Sequence, residues 1–340
     1  MSNRRSDDWT RRKLVRTAAL AGTGFLAGLR CDSLAAEPTL ETTTLRLIQT
    51  AGTCFAPQYL AEELLRAEGF SDVQYVTTAP GEPANSLLIS DRADMTMHHS
   101  APNIIRVEKD DPIVILAGVH IGCFEVFGND RVRAIRDLKG KTVAVPVSGG
   151  PQQVFLSIIT AYVGLNPHKD ITWVEYSFPE TMRLLAAGKI DAFLGFPPQP
   201  YELRARNIGH VVLNSTVDRP WSQYFCCMLT ANREFVRKYP IATKRALRAI
   251  LKGADICGRE PERVARVLVD KGFAQNYEHT AATLKGIPYG KWREYDPEDT
   301  IRFYSLRLQE VGMIKSSPQR IIAQGTDWRF IRELKKELKG

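Results

Sequence analysis

Apolar and polar positions alternate in short runs that recur along the first two-thirds of the chain. "LRLIQTAGT" (Leu45–Thr53) and "TVAVPVSGG" (Thr142–Gly150) each read as a strand ending in a loop of small residues. An amphipathic run follows each loop, "FAPQYLAEELLRAEGF" in one case and "PQQVFLSIITAYVGL" in the other, closed by Gly69 and Gly164. These are helix signals with a helix stop. Two more short strands follow, "VQYVTT" and "ITWVEY", each leading through a turn into a helix that ends in a Leu pair. "LLISDRADMTMHHSAP" (Leu87–Pro102) and "LLAAGKIDAFLGFPP" (Leu184–Pro198) then align at an offset of 97, with Leu87-Leu88 on Leu184-Leu185, Arg92 on Lys189 and Asp94 on Asp191. The same offset relates the two strand–loop starts.

Each half therefore reads β-α-β-α-β, the order of a parallel sheet with helices on its faces. The spacing predicts an α/β chain of two similar lobes. Residues 43–123 and 225–340 form lobe one with a set of C-terminal helices, and 128–215 form lobe two. The crossovers run over 113–128 and 211–228.

Ligands of open parallel sheets bind beyond the carboxyl ends of the strands. That rule selects Ala51–Cys54, Thr78–Glu82 and His98–Ala101 in lobe one, and Ser148–Gln152, Ser177–Glu180 and Phe196–Pro198 in lobe two. The candidate ligand-binding residues are Gly52, Thr53, Cys54, His98, His99 and Ser100 on one side. On the other are Ser148, Gly149, Gly150, Gln152 and Phe178. "AGT" and "SGG" stand just before helices, where small side chains let an anionic group reach backbone N–H groups at the positive end of a helix dipole. Trp221 and Tyr224 in "RPWSQYFCCM", on the return crossover, are placed to stack on a ligand or to pack the hinge. Glu125 and Glu175 are candidate acceptors or structural carboxylates.

At the end of a strand His98 and His99 project to opposite sides, so one faces the cleft and the other packs into the lobe. The register alone leaves open which does which. By the same alternation, Cys226 and Cys227 in an extended strand point apart and do not chelate together. No CxxC or histidine spacing of a zinc site occurs, and no nucleophile stands beside a base and an orienting carboxylate. The expectation is no catalytic set, no metal and no cofactor.

Composition changes this picture little. The chain has 340 residues and a net charge of +8. Residues 1–36 hold seven Lys/Arg against three Asp/Glu, so without them the excess is +4. With no basic run among aromatics, nucleic acid is not an expected partner. Residues 1–36 themselves read as an export signal. Arg11-Arg12 in "TRRKLVR" precedes a short apolar run, Thr17–Leu29, and small residues follow at Ala35-Ala36. "TRRKLVR" resembles the twin-arginine signal. The mature chain keeps Cys54, Cys123, Cys226, Cys227 and Cys257, an odd number without a disulfide framework.

"ADMTMHHSAPN", "IRDLKGKTVAVPVSGGPQQVF", "LLAAGKIDAFLGFPP" and "ANREFVRKYP" together resemble the periplasmic solute-binding proteins of ABC importers. The branch is the one that groups sulfonate, taurine and nitrate binders with thiamine-pyrimidine proteins. The resemblance covers residues 43–275. It implies the type II two-lobed periplasmic-binding-protein fold, a monomer that closes its cleft on a small solute, and an ABC permease as partner in the cytoplasmic membrane. The solute it implies is a small organic anion such as a sulfonate or carboxylate. A thiamine-precursor pyrimidine is the alternative, and a ligand-sensing subunit is a further one. A yeast-type enzyme of the same family, which makes that pyrimidine, carries a Cys-Cys-Cys-Phe-Cys run. Here "SQYFCCML" keeps only Cys226 and Cys227, a departure that argues against the enzymatic role.

Overall fold

Two five-stranded sheets organise the chain, and in each of them four strands run one way and one runs against. The structure, a computed structural model, describes residues 38–78 and 85–338. The export signal expected over 1–36 lies outside the described residues, as does the Thr78–Glu82 loop beyond Thr78. Leu40 onward belongs to one compact unit. Among the described residues no helix is long and apolar enough to cross a membrane.

Sheet one has the order β2-β1-β3-β10-β4 and sheet two the order β7-β6-β8-β5-β9. The strands of the first are β1 (Thr44–Ile48), β2 (Asp72–Val76), β3 (Met95–His99), β4 (Ile113–Ile121) and β10 (Phe225–Asn232). Those of the second are β5 (Glu125–Gly128), β6 (Lys141–Val145), β7 (Ile171–Glu175), β8 (Ala192–Gly195) and β9 (His210–Asn214). The chain passes from sheet one to sheet two between β4 and β5, and returns between β9 and β10. β3, β4 and β10 are buried at every position because helices cover both faces, which is why their sequences read as apolar runs rather than alternations.

Helices α1 (Ala56–Leu60), α2 (Glu62–Ala67), α3 (Ser86–Ile89) and α4 (Ser100–Glu108) accompany sheet one. α5 (Pro151–Tyr162), α6 (Phe178–Ala186) and α7 (Gln199–Ala205) accompany sheet two. After β10 the chain is helical, as expected: α8 (Arg233–Lys238), α9 (Pro240–Arg259), α10 (Pro261–Asp270), α11 (Tyr277–Gly286), α12 (Pro297–Glu310), α13 (Pro318–Gly325) and α14 (Arg329–Glu337). Local chemistry sets the starts. Asn232 accepts from the Phe235 N–H at 3.0 Å to begin α8, and Pro151 occupies the first turn of α5. α9 is tied to lobe one through Arg248, which reaches Glu68 at 2.7 Å and Glu337 at 3.0 Å.

The aspartates that marked the repeat have one structural task in both lobes. Asp94 Oδ2 accepts from the Arg46 N–H at 2.6 Å, and the Arg46 guanidinium closes on the same carboxylate at 2.6 Å. Asp191 Oδ2 accepts from the Thr142 N–H at 2.9 Å, while Arg131 Nε donates to its other oxygen at 2.7 Å. Burial pushes the Asp191 carboxyl up, but the Thr142 N–H and Arg131 outweigh it and hold the group below the ordinary aspartate value. Each carboxylate thus fixes the first strand of its lobe beside the third. The sheets also correct the single offset. Leu47 pairs with Met95 and Val143 with Ala192, so β6 is one residue out of step with the alignment that matches Asp94 to Asp191.

Asp94 is nearly fully buried, and its loss would leave the Arg46 amide without its acceptor and the Arg46 guanidinium with Asp91 alone of its two carboxylates. Asp94→Ala is expected to lower stability by about 2–3 kcal/mol in urea unfolding. Asp91→Asn, at an exposed carboxylate that also meets Arg46, should change it by about 0.5 kcal/mol or less.

Candidate functional site

At one end of sheet one, the carboxyl ends of β1, β3 and β4 meet the start of the opposed strand β10. Four segments converge there: Gly52–Phe55 after β1, His99–Ser100 after β3, Gly122–Phe124 after β4, and Phe225–Cys227. Lobe two covers them with Pro151 and Phe155 from the start of α5 and Phe196 after β8. A small chamber remains, of about 10 Å³, lined by His99, Ser100, Phe124, Phe155, Cys226 and Tyr304 among others. That volume admits about one water-sized body. The lobes are in contact across it. A Cβ on Gly52, whose φ is +133°, would lie 2.8 Å from the Phe196 ring.

The structure settles the histidine register. The His99 ring lies in the cluster at the cleft floor, 4.6 Å from the Phe124 ring and 5.9 Å from that of Phe196. Its Nδ1 is 3.5 Å from Cys227 Sγ and 3.7 Å from Cys226 Sγ. His98 stands outside that cluster with its Nδ1 buried and without a hydrogen-bond partner. Burial drives both imidazoles toward the neutral form, His99 to about 4 and His98 to about 3, where proximity to His99 adds to the effect. His120, at the end of β4, is lowered by burial too.

The two adjacent cysteines overturn the expectation drawn from strand alternation. Phe225 pairs with Ile121 and Cys227 with His120, so Cys226 is an extra residue bulged out of the ladder. Between Cys227 and Met228 the slip is reversed on β4. With the pleat broken, both thiols turn to the same side. Ser100 secures the bulge from the start of α4, its hydroxyl donating to the Phe225 carbonyl at 2.6 Å with the Cys226 carbonyl at 3.1 Å. Gly118 makes room for it on β4, since a Cβ there would fall 2.2 Å from the Phe225 ring.

Cys123 joins them from the crossover, its sulfur 3.2 Å from that of Cys226. Its φ is +106°, a conformation that side chains other than glycine rarely adopt and that costs on the order of 1–3 kcal/mol. Gly122 beside it has φ +70°, and a Cβ there would collide with the backbone of Thr216 on the second crossover. The two crossovers are laced together: the Cys123 N–H donates to Thr216 Oγ1 at 3.2 Å and the Phe124 N–H to Ser215 Oγ at 3.0 Å. Burial pushes the Cys54 and Cys123 thiols up, to about 12 and about 11, and raises Cys227 well above its ordinary value as well. Cys226 goes the other way. Burial opposes its thiolate, but the S–H groups of Cys123 and Cys227 donate to it and bring it to about 6.

The remaining candidates divide. Thr53 is buried against the C-terminal helices, its hydroxyl 3.3 Å from that of Thr283. Gln152 is buried in α5, and Phe178 packs edge-on against Phe196. Trp221 is buried in edge contacts with Phe155, Tyr162 and Phe303, and Tyr224 stacks on Phe303 at 3.8 Å, which is hinge packing. In the lobe-two loop the amides expected to seat an anion already have acceptors. The Ser148 N–H donates to Glu175 at 3.0 Å, that of Gly149 to Gln153 at 2.6 Å and that of Gly150 to the Val147 carbonyl at 3.1 Å. Glu125 is paired with Arg204. The strand-end rule had selected the Phe196–Pro198 loop, but sequence reasoning passed over Cys123, Phe124, Phe155 and Tyr304. The signal for Cys123 was the glycine in "IGCFE", which breaks one apolar run into two strands.

With this geometry in place, the comparisons are decisive on kinship. A family model described as NMT1/THI5 like matches residues 53–264. The chain belongs to that family. The Bacillus subtilis (strain 168) protein YtlA is 28% identical over 207 residues, 58% of this chain, and the chain spans 61% of the length of that relative. The periplasmic nitrate-binding protein NrtA from Synechocystis PCC 6803 shares the fold at a TM-score of 0.73 with 17% identity, over 89% of this chain and 90% of its own. The alkanesulfonate-binding protein SsuA from Xanthomonas axonopodis pv. citri, bound to MOPS, does so at 0.65 with 16% identity, over 86% and 100%. The two-lobed periplasmic-binding-protein architecture read from the sequence is therefore the fold of this NMT1/THI5-like chain.

Folded-state imidazole pKa values below the ordinary 6.5 give stability that is complete above pH 6.5 and is lost as pH falls toward 4. Urea unfolding between pH 7 and pH 4.5 should show this loss, at up to about 1.4 kcal/mol per pH unit for each buried imidazole. His98→Gln should flatten the dependence.

Proposed function

We propose that this protein is the solute-capturing component of an ABC-type importer, exported to the periplasm and passing its cargo to a membrane permease. The observation that carries the reading is the chamber where strand ends of sheet one meet Phe155 and Phe196 of lobe two, across two adjacent crossovers. Two lobes joined that way open and close as a clamp. Contacts from both sides favour the closed state by the difference in affinity between open and closed forms. The closed chamber is far smaller than the roughly 300 Å³ of a typical ligand site, so an organic solute enters with the lobes apart.

The cargo is a small organic solute. Kinship of fold with nitrate- and sulfonate-binding proteins supports an anion such as a sulfonate or carboxylate, which would compete with Glu175 for the amide of Ser148. A second reading, a thiamine-precursor pyrimidine, is favoured by the rings of Phe124, Phe155 and Tyr304 that line the chamber, with Phe196 edge-on against Phe124.

A thermal-shift panel on protein unfolded and refolded to remove bound solute tests both. It includes alkanesulfonates, taurine, nitrate, aromatic carboxylates and pyrimidines. A true ligand at 100 times its Kd stabilises by about 2.7 kcal/mol. Phe196→Leu, which removes the ring that spans the cleft, should weaken that ligand about threefold to tenfold. A cooperatively folded protein that responds to no class in the panel contradicts the proposal.

A further inference from the structure

At the cleft floor four buried side chains bring donor atoms together: His99, Cys123, Cys226 and Cys227. They come from three places in the chain, all are buried, and one ligand atom from each falls within 4.8 Å of all the others. We propose that they form a binding site for one soft, closed-shell cation of the zinc(II) class, in a tetrahedral Cys3His set.

The spacing is that of a tetrahedron around such an ion. Bonds of about 2.3 Å to sulfur and about 2.05 Å to nitrogen place vertices about 3.8 Å apart for two sulfurs and about 3.6 Å for sulfur and nitrogen. His99 Nδ1 stands 3.7 Å from Cys226 Sγ and 3.5 Å from Cys227 Sγ. The Cys123–Cys226 edge, at 3.2 Å, has to widen by about half an ångström. Three thiolates and a neutral imidazole are the donors that a borderline-soft ion selects over magnesium or calcium.

The backbone is shaped to deliver these donors. The bulge that brings Cys226 and Cys227 to one side is held by Ser100. Cys123 keeps a positive φ that glycine would occupy without strain, so the cysteine is retained there at a conformational cost. Loading releases protons from the thiols as the ion takes their place, and Cys226 is the cysteine of the set that reaches the chamber. The route in is therefore the cleft itself. A neighbouring three-ligand group, Cys54, His120 and Cys227, shares Cys227 and has one donor fewer.

The competing fate of the same atoms is a Cys123–Cys226 disulfide, which needs the sulfurs to close to about 2.05 Å. The inference does not depend on the solute reading: cobalt and zinc report on the cluster, the solute panel on the cleft.

Full-length protein, reduced with a phosphine and kept anaerobic, is titrated with cobalt(II). The expected result is one equivalent bound, with thiolate-to-cobalt charge transfer in the near ultraviolet and strong tetrahedral bands in the red. One equivalent of zinc(II) should abolish both. Competition against a chromophoric chelator should show zinc affinity falling more than about 100-fold in Cys226→Ser and in His99→Ala, since even an outer-shell partner is worth about 10–100-fold. Cys257→Ser, at a buried cysteine on α9 outside the cluster, should not change it. Cys123→Gly relieves the strained φ, so it should remain folded by circular dichroism and still lose the cobalt spectrum. A weak octahedral spectrum without charge transfer overturns the assignment. So does zinc binding that survives Cys226→Ser, binding lost in Cys54→Ser but kept in Cys226→Ser, or no binding by reduced, folded protein.

Discussion

β10 enters sheet one between β3 and β4, opposed in direction to both, with all eight of its residues buried. A strand in that position has to satisfy two ladders at once, and the two neighbours do not ask for the same register. Against β3 the pairing from Cys227 to Ala231 is regular; against β4 it slips at Cys226 and slips back before Met228. These slips, with a third between Leu229 and Thr230, accommodate the two ladders, and they cost some backbone pairing along the strand. Ser100 offsets part of that cost by bonding the displaced carbonyls. The chemistry of the cleft floor depends on this accommodation, because without the bulge one of the two thiols would face the opposite side of the sheet.

The wall that results carries little fixed charge among the described residues. Its imidazoles are neutral at pH 7, its rings are apolar, and its sulfurs range from a raised thiol at Cys227 to a lowered one at Cys226. Glu125, at the start of β5, is paired with Arg204. Among the described residues the chamber is lined by aromatic rings, a neutral imidazole, a hydroxyl and a sulfur rather than by lysine or arginine.

Much of the architecture was legible because its signals are local. The strand–loop–helix starts at Leu45 and Thr142 follow from alternation and small-residue turns, and the Asp94 and Asp191 match reflects one hydrogen-bonding task performed twice. The strand-end rule also selected His99, Ser100 and Cys54, which the structure places at the carboxyl ends of strands of sheet one. What stayed hidden depends on long-range pairing. No spacing in "FCCM" reveals a bulge, which exists only because β3 and β4 impose different registers from 126 and 104 residues away. Cys123 was masked for a related reason: "IVILAGVHIGCFEVFG" looks like one apolar run until Gly122 and Cys123 turn left-handed and send its halves into different sheets. Trp221 and Tyr224 had suitable chemistry, but Phe303 on α12, far along the chain, claims them for packing.

The strand order also sets the order in which the chain can be completed as it leaves the ribosome. Sheet two closes from a contiguous stretch, residues 125–214, and can assemble as soon as that stretch has been made. Sheet one cannot. Among the described residues its edge strand β4, "IVILAGVHI", has a ladder with β10 and an isolated bridge from Ile115 to Thr326, so it stays without a ladder partner until residues 225–232 appear. During that interval the most apolar strand of the protein is an open edge, the kind of segment that recruits other chains. A holding chaperone acting on the nascent chain would find its natural target there.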